Sequence, residues 1–170
     1  MSKKIIILSG KQFCGKDTFA KFLLEFLPDF KRIGLGDAIK LEYGRQKNLT
    51  FEEIEANKPQ YRADLIALGD WGRSQDPDYW LKKIIEQDDN VIVPDLRMPH
   101  ELKVFKEHGA ISIRVEAPRE NRALRGQLVK EDDPTETLLD AVDDWDFVIS
   151  NNGTLEELRE KAKVLAQKLF

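Results

Sequence analysis

Ile5-Ile6-Ile7-Leu8-Ser9-Gly10-Lys11-Gln12-Phe13-Cys14-Gly15-Lys16-Asp17-Thr18 is the stretch that decides how this chain folds. The apolar run Ile5–Leu8 predicts a buried strand. Gly10 opens a G-x-x-x-x-G-K pattern that closes at Lys16, and from Thr18 to Leu27 apolar residues recur at helical spacing (Phe19, Phe22, Leu23, Phe26, Leu27). Strand, glycine loop, lysine and helix in that order predict a phosphate-binding P-loop. Successive backbone N–H groups and the helix N-terminus then converge on one concave, electropositive spot, and the lysine reaches the outer phosphates. Gly10, Lys11, Cys14, Gly15, Lys16, Asp17 and Thr18 are therefore expected at the nucleotide, with Lys16 in a catalytic role. Asp17 stands where Ser or Thr commonly meets Mg²⁺. A carboxylate there can hold the metal directly or through water, and it also suits the first turn of a helix. Thr18 offers a hydroxyl one residue further on.

With 170 residues, 41% of them hydrophobic and 34% charged, residues 1–170 are expected to form one domain. The net charge of −4 argues against a nucleic-acid partner spread over the whole surface. Cys14 is the only cysteine, so no internal disulfide can form and a reducing compartment is expected. Its thiol reads either as a redox-sensitive group beside the phosphates or, more simply, as a small side chain facing away. Two histidines and one cysteine do not suggest a structural zinc site. No signal-peptide core and no membrane-length apolar run occur, so a cytoplasmic protein without a membrane partner is expected. Nothing in the pattern speaks to oligomeric state.

Further apolar runs at Val91–Val93, Ile111–Val115 and Phe147–Ile149, with a weaker one at Phe30–Ile33, predict more strands. Amphipathic segments near 16–27, 60–73, 77–87, 99–108 and 154–169 predict helices between them. This alternation implies an α/β fold, a parallel sheet sandwiched in three α/β/α layers. Residues 36–89 hold helical pattern without a convincing strand, and they are expected to form an acceptor-binding insertion. In such sheets ligands sit beyond the carboxyl ends of the strands, so function is sought just after each run.

After Val91–Val93 comes Pro94-Asp95-Leu96-Arg97. Asp95 fits a Walker-B-like acid that orients Mg²⁺ through water, and Arg97 can set a planar guanidinium over a phosphate. The alternative makes Asp95 a helix cap and Arg97 a solvent-facing residue. His100 reads as a helix-start residue. After Ile111–Val115, the residues Arg119, Arg122 and Arg125 recur at spacing three before Gly126, sharing one helical face. Uncompensated, they would suit a mobile lid over 118–133; with Glu116 and Glu120 beside them they also fit a solvated face. In the insertion, Lys40, Arg45, Lys58, Arg62 and Arg73 form a basic set, and the eleven residues from Arg62 to Arg73 make about three turns. After Phe147–Ile149, Asn151 can hold a nucleotide base or can equally be, with Asn152, a turn residue, while Thr154 with Glu157 reads as a capping box.

Together these residues resemble P-loop kinases of the nucleoside-monophosphate-kinase superfamily, and most closely the animal-type phosphomevalonate kinase family. The likeness rests on Ser9 to Asp17 and on Leu35 to Lys40. It rests also on an ungapped run of Arg62, Leu65, Ile66, Gly69, Arg73, Asp76, Pro77, Tyr79 and Trp80, on Arg114, Val115, Arg122, Arg125 and Gly126, and on Trp145 to Asn151. Met98 stands where that family has a second arginine. The segment Val93 to Glu101, with Gly15 to Thr18 and Ile149 to Leu158, is instead similar to phage-type deoxynucleoside monophosphate kinases. The resemblance implies ATP and Mg²⁺ as cofactors and a small phosphorylated metabolite or nucleotide as partner. It also implies Arg62, Arg73 and Arg97 at the acceptor and Arg122 and Arg125 at the phosphates, to which the residues' own positions add Asp17 and Asp95 at the metal, Lys40 and Asp95 at the acceptor and Arg119 at the nucleotide, with Arg97, Arg122 and Arg125 catalytic beside Lys16. A nucleotide-binding regulatory protein without kinase activity is the reading from a different class.

Overall fold

Strands that are apolar along their whole length need cover on both faces, and the computed structural model, which describes residues 2–170, supplies it. In chain order the first half runs β1 (Ile5–Ser9), α1 (Lys16–Phe26), β2 (Phe30–Arg32), α2 (Asp37–Lys47), α3 (Phe51–Ala56), α4 (Lys58–Gln75) and α5 (Tyr79–Glu86). The second half runs β3 (Asn90–Val93), α6 (Pro99–Glu107), β4 (Ile111–Glu116), α7 (Arg119–Arg125), α8 (Pro134–Thr137), β5 (Phe147–Ser150) and α9 (Leu155–Leu169). The five strands form one parallel sheet in the order β2-β3-β1-β4-β5. β1 lies in the middle, which is why all five of its residues are buried.

Side chains alternate across a strand, so each face collects its own set. Ile6, Leu8, Ile92, Ile113 and Val115 pack with Phe19, Ala20 and Leu23 of α1 and with Leu158, Ala162 and Leu165 of α9. α6 packs against β1 and β4 and buries Leu102, Val104 and Phe105. The expected three-layer architecture is thus the observed one. The weakest expected strand, β2, is real but short: it is an edge strand with Phe30 buried and Lys31 and Arg32 exposed, so its sequence carries half an apolar pattern.

Residues 33–87 form a second compact unit of helices, α2 to α5. Its core gathers Tyr43, Ile54, Trp80 and Ile84, and the Trp80 indole N–H donates to the Gly69 carbonyl at 3.0 Å. The start of α3 carries a capping box between Thr50 and Glu53.

The Thr154–Glu157 box forms as expected, with the Glu157 N–H donating to Thr154 Oγ1 at 3.2 Å and the Thr154 N–H to Glu157 Oε2 at 3.1 Å. Thr154→Ala therefore lowers stability by about 1 kcal/mol and the unfolding midpoint by roughly 2–4 °C, a shift that calorimetry will read.

Candidate functional site

The loop from Gly10 to Gly15 joins β1 to α1 at the carboxyl edge of the sheet. Gly15 has φ of 97°, and a Cβ on it would stand 2.3 Å from Asn151 Nδ2, so only glycine fits there. It is also the N-cap of α1 and provides no side-chain cap, which leaves the helix N–H groups facing outward. The Lys16 side chain is 13% exposed and its Nζ lies 3.9 Å from Asp17 Oδ2, while Asp17 itself is 63% exposed. A strand-to-helix loop with open N–H groups and a sheltered ammonium is a seat for phosphate.

Carbonyls behind the loop are held from two sides. Asn151 is buried, and its Nδ2 donates to the Cys14 carbonyl at 2.9 Å. Arg125 donates from Nη1 to the Phe13 carbonyl at 3.2 Å and from Nη2 to the Asn151 carbonyl at 2.8 Å. Arg122, also buried, donates from Nε to the Ala117 carbonyl at 3.2 Å. Arg119 is drawn off by Glu131, with bonds of 3.0 and 2.9 Å. The three arginines are therefore not an uncompensated row. Glu131, twelve residues away in sequence, neutralises the first, and backbone carbonyls engage the other two. The Asn151 amide supports the loop, and its neighbours Ser150 and Asn152 line an open cavity.

That cavity, of about 440 Å³, lies beside the loop and is bordered by Lys11, Arg114, Glu116, Arg122, Asp140 and Asn152. Arg114 and Asp140 were not among the site residues expected from the sequence. Arg114 pairs in register with Ser9, donates to Ser9 Oγ at 3.0 Å, and meets Asp140 at 3.2 Å. Asp140 also holds Lys11 at 2.8 Å, so one carboxylate bridges the loop and β4. The signal for Arg114 was present, since a charged residue interrupts an otherwise apolar strand. Nothing local could mark Asp140, whose partners are far along the chain.

On the other side of β1, Asp95 follows β3 and Pro94. The Leu96 N–H donates to the Leu8 carbonyl at 3.1 Å, which fixes Asp95 beside the start of the loop. Glu101 accepts from the N–H groups of both Arg97 and Met98 at 3.0 Å, so Glu101 holds the start of α6. His100 lies in the first turn of α6.

Within the helical unit, a cavity of about 550 Å³ is lined by Ile39, Pro59, Leu65 and Ile66 together with Lys40, Lys58, Arg62 and Arg73. Arg62 and Arg73 of α4 do reach the same cavity, as the three-turn spacing suggested. Lys40 meets Glu55 at 2.5 Å and Asp37 at 3.4 Å, Lys58 meets Glu55 at 3.0 Å, and Arg73 meets Asp70 at 2.7 Å. Burial alone would lower the Lys40 ammonium, but its bonds to Glu55 and Asp37 outweigh that and raise it above its ordinary value. Arg45 takes no part in this cavity and is held bidentately by Glu42. Neither Tyr61 nor Trp71 lines it: Tyr61 packs on Tyr43 at 5.7 Å and Trp71 on Tyr79 at 5.4 Å between centroids.

A phosphate loop on a central parallel strand, an acid after the neighbouring strand and an arginine-bearing helix after the next define a P-loop kinase. The chain belongs to the phosphomevalonate kinase family, whose sequence profile matches residues 8–110. The deoxynucleotide monophosphate kinase profile matches residues 70–162, so the carboxyl-terminal half carries that family's pattern as well. Phosphomevalonate kinase of Drosophila melanogaster is 29% identical over 184 residues, covering 98% of this chain and 96% of the relative. Among solved structures, shikimate kinase from Aquifex aeolicus superposes with a TM-score of 0.53 at 16% identity, covering 96% of each chain. A gluconokinase from Sinorhizobium meliloti gives 0.56 at 14% identity, covering 98% of this chain and 93% of that one. These two likenesses show the fold alone. The protein is an ATP-dependent phosphotransferase that acts on a small phosphomonoester.

Cys14 sits in the core with 1% exposure, and burial pushes its thiol up despite the nearby Lys16 and Arg114. Thiol reagents at pH 8 will accordingly leave the native protein unlabelled and modify it stoichiometrically once it is unfolded, a contrast that intact mass measurement will read.

Proposed function

We propose that the acceptor is phosphomevalonate, bound in the cavity of the helical unit, and that the products are ADP and a diphosphate. The observation that carries this reading is the composition of that cavity. Aliphatic walls face four basic side chains, Lys40, Lys58, Arg62 and Arg73, answered by the three carboxylates Asp37, Glu55 and Asp70, and no aromatic ring lines it. A branched aliphatic acid bearing both a carboxylate and a phosphate matches cationic groups and aliphatic walls. A nucleotide would call for a ring to stack on its base, and Tyr61 and Trp71, the candidates for that task, are packed on Tyr43 and Tyr79. The phosphomevalonate kinase match, unlike the nucleotide kinase match, covers the whole of residues 33–87.

In this reading the β- and γ-phosphates of ATP lie on the N–H groups of residues 13–18, with Lys16 reaching the outer phosphates. An acceptor phosphate oxygen, already anionic near neutral pH, attacks the γ-phosphorus in line. The bond from phosphorus to the β,γ-bridging oxygen breaks and ADP leaves with the electron pair, so no dedicated base is needed. Lys16 and Arg122 oppose the charge that accumulates on the transferring group, while Arg125 keeps the loop carbonyls turned away from it. Arg62 and Arg73 hold the acceptor. Arg97, whose guanidinium has no hydrogen bond or ion pair among the described residues, is assigned to a phosphate on the acceptor side.

The protein residues also fit Mg²⁺. No group of three or more His, Cys, Asp or Glu stands ready as a cage among the described residues. Asp17 and Asp95 suit a cation that takes most of its ligands from phosphate and water. When bound, Mg²⁺ would neutralise the phosphate oxygens and orient them. The sequence points to a cytoplasmic setting, in keeping with the single reduced cysteine.

Coupled ADP release with phosphomevalonate, the common ribonucleoside monophosphates and the common deoxynucleoside monophosphates tests the proposal. Turnover with phosphomevalonate is expected, and turnover with nucleotides alone would transfer the assignment to the second family matched here. Arg62→Ala should raise KM for the acceptor about tenfold or more and leave KM for ATP within about twofold, because one charge-assisted bond to the acceptor is lost.

A further inference from the structure

Position 12 is a free position in the P-loop pattern, yet in this structure it is the most heavily tethered residue of the loop's outer rim. The Gln12 carboxamide pairs in both directions with the backbone of Val129: Nε2 donates to the Val129 carbonyl at 2.6 Å, and Oε1 accepts from the Val129 N–H at 3.0 Å. The Gln12 N–H donates to Glu136 Oε2 at 3.1 Å. Beside it Phe13 has φ of 59°, a left-handed conformation that a bulky residue holds only when its surroundings impose it. The Phe13 ring covers Gly126 so closely that a Cβ there would stand 2.2 Å from Cε1. Residues 127–130, which follow α7, form no helix or strand, and their backbone depends on such contacts for its order.

We infer that Gln12 is a positioning residue for ATP, a latch whose carboxamide fastens the backbone of Val129 along the rim of the phosphate loop. A side-chain amide presents one donor and one acceptor and so satisfies a backbone N–H and C=O together. A lysine or a glutamate in its place would satisfy one and leave the other, and would bring charge near the phosphates. With the latch made, the loop tip and the end of α7 are ordered before nucleotide arrives. Without it ATP must order them on binding, which weakens affinity and leaves the chemical step alone.

The inference rests on the loop being the ATP site, so Lys16→Ala is run beside it. Gln12→Ala and Gln12→Asn are compared with wild type; the asparagine keeps the amide but is one methylene too short to reach both partners. Both variants should raise KM for ATP about fivefold, keep kcat and acceptor KM within about twofold, and speed hydrogen exchange at the Val129 amide about tenfold, with an unchanged unfolding midpoint. Wild-type KM for ATP, unchanged Val129 exchange, or a loss confined to kcat would overturn the latch. If those results came with an inactive Lys16→Ala, the latch alone would fall. An active Lys16→Ala would remove the ATP site from this loop and the latch with it.

Discussion

A helix cannot bond its own first N–H groups, and the phosphate loop depends on how α1 leaves that need unmet. α3 and α9 begin with threonine capping boxes that close the exposed donors with side-chain oxygens. α1 begins with Gly15 and has no side-chain cap. Its donors stay open to an anion, and the surrounding residues are arranged to keep them open. Asn151 and Arg125 occupy the carbonyls on the reverse side of the loop, so the peptide groups cannot rotate to satisfy one another. The central position of β1 supplies the rest, because a strand buried on both faces and bonded on both edges gives the loop an anchor that does not move.

Charge is handled differently in the two compact units. Beside the loop, cations are fixed by long-range partners: Asp140 bridges Lys11 and Arg114, and Trp145 lies 5.8 Å from the Arg114 guanidinium. Removing Asp140 takes the carboxylate from Arg114, a guanidinium with little access to water, so this pair bears on stability as well as on the site. In the helical unit the ion pairs of Lys58 and Arg73 are more exposed and span one turn, and such pairs contribute little to stability. Their carboxylates can give way to a stronger anionic partner at small cost.

The sheet, its parallel sense and the phosphate loop were legible because each rests on local pattern: four apolar runs, a glycine spacing and a capping box. β2 was faint because an edge strand needs only one buried residue of its three. α2 and α3 were hidden inside a long helical stretch, although Thr50 and Glu53 carried the same boundary signal that was read at Thr154 and Glu157. The arginines after β4 were found, but not their partners. Glu131 compensates Arg119 from across a turn, and carbonyls of the phosphate loop engage Arg125 from more than a hundred residues away. Sequence periodicity places residues on a face; it says nothing of which distant groups fold back onto that face.

The two strands that flank residues 33–87 are direct neighbours, with Phe30, Lys31 and Arg32 in register with Asn90, Val91 and Ile92. Everything between them leaves the sheet and returns to it as one continuous excursion. The strand order, the phosphate loop and the arginine helix after β4 are all encoded outside that excursion. A lineage could therefore exchange the whole block in a single recombination event, or let it drift quickly, without retuning the register of any strand.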